Sequence, residues 1–210
     1  MPAKGMFITF EGLDGAGKST QIDRLKHTFE VNGHFVLTTR EPGGTHIGDK
    51  LREILLNPSH TMLGERTEAL LYAASRAQLL HEVVQPALRR GEIVLCDRYV
   101  DASIAYQGAG LGLGVDSIQT INDFATEGLQ PDLTFLFDLP VAVSQSRVHS
   151  VRSDSAPDRI ERRDEAYFDR VRKQFLRIAE AFASRVVVLD ATQPPNVLEQ
   201  EIWGVVAKRV

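Results

Sequence analysis

The sequence predicts a three-layer α/β/α fold with a central five-stranded parallel sheet and a short lid, and three observations carry that expectation. Five short runs of strand character, at 7–10, 35–39, 93–96, 133–137 and 186–189, alternate with stretches of helical period. That order builds parallel βαβ units with right-handed crossovers. Ile93-Val-Leu-Cys96 is continuously apolar, as expected of a strand covered on both faces. Between the first strand and the first helix stands Gly12-Leu-Asp-Gly-Ala-Gly17-Lys18-Ser19, which matches the G-x-x-x-x-G-K-[ST] pattern.

Taken in order, Phe7-Ile-Thr-Phe10 is a short apolar, β-branched strand. Lys18–Val31 reads as a helix, with Ile22, Leu25 and Phe29 at helical spacing, and Asn32-Gly33 ends it. The strand 35–39 runs into Arg40-Glu-Pro-Gly-Gly-Thr45, a loop by its Pro and Gly content. Ile47, Leu51, Ile54 and Leu55 mark another helix, closed by Asn57-Pro58. One long helical pattern covers 65–90, with Pro86 expected to bend or break it and Gly91 to stop it. The glycine-rich stretch 108–114 is expected to be a loop, followed by a helix over 115–126. The strand 133–137 ends in Asp138-Leu-Pro140, 141–149 reads as helical, and 151–157 as polar and irregular. A long amphipathic helix is expected over 165–184, with Phe168, Val171, Phe175, Ile178 and Phe182 on its face. A helix over 197–208 closes the chain, and with no repeat or linker, residues 1–210 are expected to form one domain.

Composition narrows the function classes. At 43% hydrophobic and 25% charged residues, the chain is ordinary for a soluble globular protein. Its net charge of −4 argues against broad electrostatic binding to nucleic acid or to an anionic membrane. Cys96 is the one cysteine, which excludes an internal disulfide, and no Cys/His cluster has zinc spacing. Met1-Pro-Ala-Lys-Gly5 lacks the apolar core of a signal peptide, and no apolar run approaches the length of a membrane span. A cytoplasmic enzyme is expected.

The glycine pattern points to a specific chemistry. Glycines at positive φ let successive backbone N–H groups turn onto a phosphate, and the following helix N-terminus adds partial positive charge. The expected nucleoside-triphosphate loop is Gly12, Leu13, Asp14, Gly15, Ala16, Gly17, Lys18, Ser19 and Thr20. Lys18 would reach the β- and γ-phosphates, and the Ser19 hydroxyl would hold Mg²⁺. Ligands of parallel sheets bind beyond the carboxyl ends of the strands, where Glu11, Asp14, Arg40, Glu41, Asp97, Arg98 and Asp138 follow the apolar runs. Cations and carboxylates gathered in one cleft suit phosphoryl transfer between two anions.

Three segments, Phe10-Glu-Gly-Leu-Asp-Gly-Ala-Gly-Lys-Ser-Thr-Gln21, Arg40-Glu-Pro-Gly-Gly-Thr45 and Asp97-Arg-Tyr-Val-Asp-Ala-Ser-Ile-Ala-Tyr-Gln-Gly108, resemble the signatures of the thymidylate kinase family, and Asp158-Arg-Ile-Glu161 matches as well. The resemblance covers nearly the whole chain. It implies a P-loop kinase fold, ATP-dependent phosphorylation of dTMP to dTDP, Mg²⁺, and a homodimer. It further implies that Asp14 bonds the 3′-hydroxyl of dTMP, Asp97 helps place Mg²⁺, and Arg98 and Arg40 contact the acceptor phosphate. Tyr72 and Arg76, one turn apart on a helix, align with residues that stack on and bond thymine. Ser103 and Tyr106 align with a base contact and with the ring that crowds a ribose 2′-hydroxyl, and Gln107 belongs to the same substrate side.

The sequence departs from some members by carrying Gly15 where they place a catalytic arginine. The resemblance then sends the transition-state cation to a lid at about 148–160, where Arg152 and Arg159 are the favoured candidates beside Arg147. Other readings of the loop are another nucleoside or nucleoside monophosphate kinase, a GTPase-like switch, and a non-catalytic nucleotide-binding module. The chain holds no Asn-Lys-x-Asp guanine motif, which argues against the switch.

Overall fold

The computed structural model describes residues 5–151 and 157–209, so the lid candidate Arg152 lies outside the described residues. Five strands, β1 (Met6–Gly12), β2 (Val36–Arg40), β3 (Ile93–Asp97), β4 (Leu133–Asp138) and β5 (Val186–Asp190), form one sheet in the order β2-β3-β1-β4-β5. Every pairing is parallel. β1 therefore lies at the centre, with its carboxyl end between the ends of β3 and β4. The expected five-stranded parallel sheet is what the chain forms.

Helices cover both faces. α1 (Lys18–Val31) follows β1, α2 (His46–Leu56) and α3 (Glu65–Leu79) follow β2, and α4 (Gln85–Arg89) precedes β3. After β3 come α5 (Val100–Ser103) and α6 (Val115–Thr126), after β4 come α7 (Val141–Val151) and α8 (Glu165–Ala181), and α9 (Pro195–Val206) follows β5. The period of two along a strand divides the core. Phe7, Val94, Cys96 and Leu136 pack on one face with Leu79, Val171 and Phe175, whereas Ile8, Phe10, Leu95 and Phe135 pack on the other with Ile22, Phe29, Leu198 and Ile202. Each fully buried side chain of this size contributes about 1.5–3 kcal/mol.

Three expectations need correction. The helical pattern 65–90 holds, but the irregularity expected at Pro86 lies before it: α3 passes through a π turn, Leu80–Val84, into α4. Pro86 has no N–H for the carbonyl four residues back, and the wider turn before it, closed by Gln85 N–H to Leu80 O, takes up the mismatch. The stretch 108–114 is only partly a loop, because α5 continues as a π turn, Ile104–Gly110, that contains Gly108 and Gly110. Gly110 serves close packing there, since a Cβ on it would lie 2.6 Å from the Tyr167 ring of α8. α8 itself ends at Ala181 and buries Tyr167, Val171, Phe175 and Ile178, while Phe182 is past its end and 48% exposed.

Replacing Phe135, which is 0% exposed and rings Phe10 at 5.7 Å, is expected to show how much the α1/α9 face supplies. Phe135→Ala should lower unfolding free energy by about 3–5 kcal/mol in urea denaturation with an unchanged m-value.

Candidate active site

β1 ends in Glu11-Gly12, and the loop to α1 curls over the strand ends. Gly12 stands at φ 132°, and a Cβ there would sit 2.4 Å from the Phe137 carbonyl oxygen, so only glycine lets the loop start this close to β4. Gly15 and Gly17 also have positive φ, and α1 begins at Lys18 with no side chain capping its first N–H groups. The Lys18 ammonium, 6% exposed, lies over the loop and donates to Leu13 O at 3.0 Å. Burial lowers its pKa, as does Arg98, with Asp97, Asp14 and Glu11 acting in the opposite sense. Such a ring of uncapped amides and one near-buried cation can take a chain of phosphates. On the β3 side, Ser19 Oγ donates to Asp97 Oδ2 at 3.4 Å, and Asp97 Oδ1 is buried without a hydrogen-bond partner among the described residues. A hydroxyl beside an unspent carboxylate oxygen is a hard donor pair that fits Mg²⁺.

Arg98 joins the two strand ends. It is a non-glycine residue at φ 72°, a conformation that costs on the order of 1–3 kcal/mol and persists only where surroundings enforce it. Its N–H donates to Phe10 O at 2.9 Å, and its guanidinium donates to Gly12 O at 2.8 Å and to Asp14 Oδ1 at 2.9 Å. The guanidinium carbon stands 5.0 Å above the Tyr106 ring.

Beyond Arg98 opens a cleft lined by Asp14, Tyr72, Arg76, Arg98, Ser103, Tyr106 and Gln107. All of these were named from sequence, and they come from the phosphate loop, α3, the end of β3 and the α5 turn. Arg40 is placed differently. It lines an adjoining depression with Ser19 and Asp97 on the β2 side, 60% exposed, with Asp49 3.7 Å away. Arg76 is 1% exposed and its guanidinium is fully engaged within the protein. Nε donates to Glu41 Oε2 at 2.7 Å, Nη1 to Ser103 at 3.0 Å and also to Asn122, and Nη2 to Tyr99 O at 3.0 Å and to Glu41.

A family model described as thymidylate kinase matches residues 10–202. The chain belongs to the thymidylate kinase family. It is 49% identical over 207 residues to a thymidylate kinase of Deinococcus radiodurans, covering 99% of this chain and 98% of that one. To a thymidylate kinase of an Exiguobacterium strain it is 47% identical over 206 residues, covering 98% and 96%.

This thymidylate kinase family chain also uses residues that sequence reasoning left without a role. Arg52 and Ile160 line the cleft, together with Glu41 from the end of β2 and Asp158 of the matched 158–161 segment. Arg52 sits on the polar side of α2, and nothing in its local pattern separates it from a solvated arginine; in the fold it donates to Pro42 O at 3.0 Å. Glu68 is a second omission. It is fully buried on α3, accepts from Gln107 Nε2 at 3.0 Å through one oxygen, and receives Arg159 at 2.7 Å and Arg163 at 2.6 Å on the other. Arg159, proposed from sequence for the lid, thus has Nη1 on Glu68 and Nε on Leu55 O at 2.8 Å, and its Nη2 is buried without a partner among the described residues. Arg147 bridges Gly15 O at 3.3 Å and Ala191 O at 3.0 Å, tying α7 to the phosphate loop.

Two buried acids set a pH dependence. Burial, then the nearby Asp101, push the Glu11 carboxyl up to about 8, with Arg98 and the Tyr99 N–H opposing and Glu41 adding to the rise. Burial also raises Glu41 to about 7, against the pull of Arg76. Both folded-state values lie above the unfolded value of 4.5, so the stability these protons confer is full below that value and is lost as pH rises through about 7 to 8. Glu11→Gln is expected to remove the upper part of that fall. The check is the difference between wild-type and variant urea midpoints from pH 5 to pH 9, which should widen in the variant's favour up to about pH 8 and level off beyond it.

Proposed function

We propose that this protein transfers the γ-phosphoryl group of ATP directly to dTMP, forming dTDP and ADP. The observation that carries this reading is the junction of two sites at Arg98: a phosphate loop on one side and an aromatic, arginine-bearing cleft on the other. Family membership supports the same acceptor.

In this reading Gly12 to Thr20 cradle the ATP phosphates, and Lys18 follows the β- and γ-oxygens as charge develops. Arg98 orients the acceptor phosphate, and Arg40 approaches it from the Ser19 side. Asp14 takes the 3′-hydroxyl, Tyr72 stacks on thymine, and Arg76 with Ser103 and Gln107 faces the base edge. The Tyr106 ring, under the Arg98 guanidinium, crowds the place of a ribose 2′-hydroxyl. A phosphate oxygen of dTMP forms the new bond to the γ-phosphorus while the bond to the β–γ bridging oxygen breaks. ADP leaves with that electron pair, and no covalent enzyme intermediate is formed. Mg²⁺, held by Ser19 and Asp97, would neutralise charge on the phosphate oxygens when bound. Gly15 offers no loop cation, so Arg152 and Arg159 of the lid segment supply it on closure. The enzyme works as a cytoplasmic homodimer without nucleic-acid or membrane partners. No helix among the described residues is long and apolar enough to cross a membrane.

ADP formation measured with dTMP, dUMP, UMP, CMP, AMP and thymidine tests the assignment. dTMP should give the highest kcat/KM, and a preference for thymidine or AMP would overturn it. Arg152→Ala or Arg159→Ala should lower kcat by about 100-fold or more with KM for both nucleotides changed only a few-fold. Unchanged kcat in both variants rejects the lid-arginine assignment.

A further inference from the structure

Glu11 stands at the carboxyl end of the central strand, shares its face with Phe7 and Thr9, and is 0% exposed. Being fully buried, it does not line the acceptor cleft. Among the described residues it forms no ion pair. Asp101, its acidic neighbour, is taken by Arg185 through two bonds of 2.7 and 2.9 Å, and Arg76 is taken by Glu41. Arg98 gives its guanidinium hydrogen bonds to Gly12 O and Asp14. One Glu11 oxygen has no hydrogen-bond partner among the described residues. The other accepts the Tyr99 backbone N–H at 2.7 Å, and this is the one hydrogen bond that the described residues give the side chain. A buried carboxyl without an ion pair does not add to folding stability, so its presence calls for another reason.

Tyr99 follows Arg98, the residue at φ 72°. Tyr99 is itself 1% exposed, so its N–H has no recourse to solvent. The turn is pinned on both sides by β1, through Arg98 N–H to Phe10 O at 2.9 Å and Tyr99 N–H to Glu11. We propose that Glu11 is a positioning residue, which holds the left-handed turn at Arg98 and so aims its guanidinium at the acceptor phosphate. Without the acceptor oxygen, the Tyr99 N–H would be buried and unpaired, the turn would relax toward negative φ, and the guanidinium would leave its place above Tyr106. The inference rests on the reading of Arg98 as the acceptor-phosphate contact. A carboxyl whose pKa burial has raised to about 8 is mostly neutral at pH 7, so an amide of the same shape should serve in its place.

The experiment compares dissociation constants of dTMP and thymidine by calorimetry for Glu11→Ala, Glu11→Gln and Arg98→Ala, with kcat and KM for dTMP and ATP. Glu11→Ala should weaken dTMP by about tenfold or more, leave thymidine within about twofold, and lower kcat/KM for dTMP without a matching rise in KM for ATP. Arg98→Ala should narrow the same dTMP-to-thymidine ratio, and Glu11→Gln should keep it within about threefold of wild type. Glu11→Met, which fills the volume without an acceptor, replaces the alanine variant if that chain does not fold. If Arg98→Ala narrows the ratio and the Glu11 variants lacking an acceptor do not, the positioning role is wrong while the Arg98 reading stands. If Arg98→Ala leaves the ratio intact, both fall. A Glu11→Gln enzyme that folds yet loses dTMP selectively also overturns the inference.

Discussion

The parallel register that sets Phe10 beside Asp97 governs the geometry of the whole site. It brings the end of β3 level with the start of the phosphate loop, so that the residue after Asp97 can donate its N–H back to Phe10 O. Arg98 is then forced into a left-handed turn, and its side chain reaches across Gly12 to Asp14. Shifting that pairing by one residue would move every side chain of β1 to the opposite face. Lys18, Ser19, Asp97 and Arg98 would no longer meet. The phosphate loop and the cleft are thus joined by one strand pairing and one strained residue.

Around this junction the protein buries charge rather than exposing it. Arg76 spends its whole guanidinium on Glu41, Ser103, Asn122 and Tyr99 O, and Glu68 gathers Gln107, Arg159 and Arg163. Buried ion pairs of this kind return little net stability, because desolvation offsets most of the Coulomb attraction. What they do here is fix side chains that stand in the cleft wall. Glu68 is the link between Gln107 on the cleft and the arginines that follow residue 157, so the cleft wall and that segment share one carboxylate. A pocket whose polar groups are already oriented has less ordering to do when a ligand arrives.

How much was legible in the chain depended on how local the signal was. Strands showed as apolar runs and α1 as periodic Ile22, Leu25 and Phe29, and all five strands were placed within a residue or two of their ends. The π turns were not legible, because Leu80–Val84 carries the apolar spacing of an ordinary α-helix and Ile104–Gly110 runs into glycines. Gly108 and Gly110 read as a loop because a glycine needed for close packing looks the same in sequence as one needed for a turn. The cleft residues Tyr72, Arg76, Ser103, Tyr106 and Gln107 were found through resemblance, since by pattern alone Tyr72 is core and Arg76 is surface. Arg52 and Glu68 had no local mark at all.

By itself, the sequence determined the order of strands and helices, the phosphate loop and the family, because each of these is written in neighbouring residues. Tertiary structure alone decided that Arg98 is left-handed, that Arg76 is buried with every donor engaged, and that Arg159 meets Glu68. It also decided that Arg40 stands on the Ser19 side rather than in the cleft. The reason is physical: a titratable side chain takes its role from the dielectric and the partners around it, and these come from segments dozens of residues away.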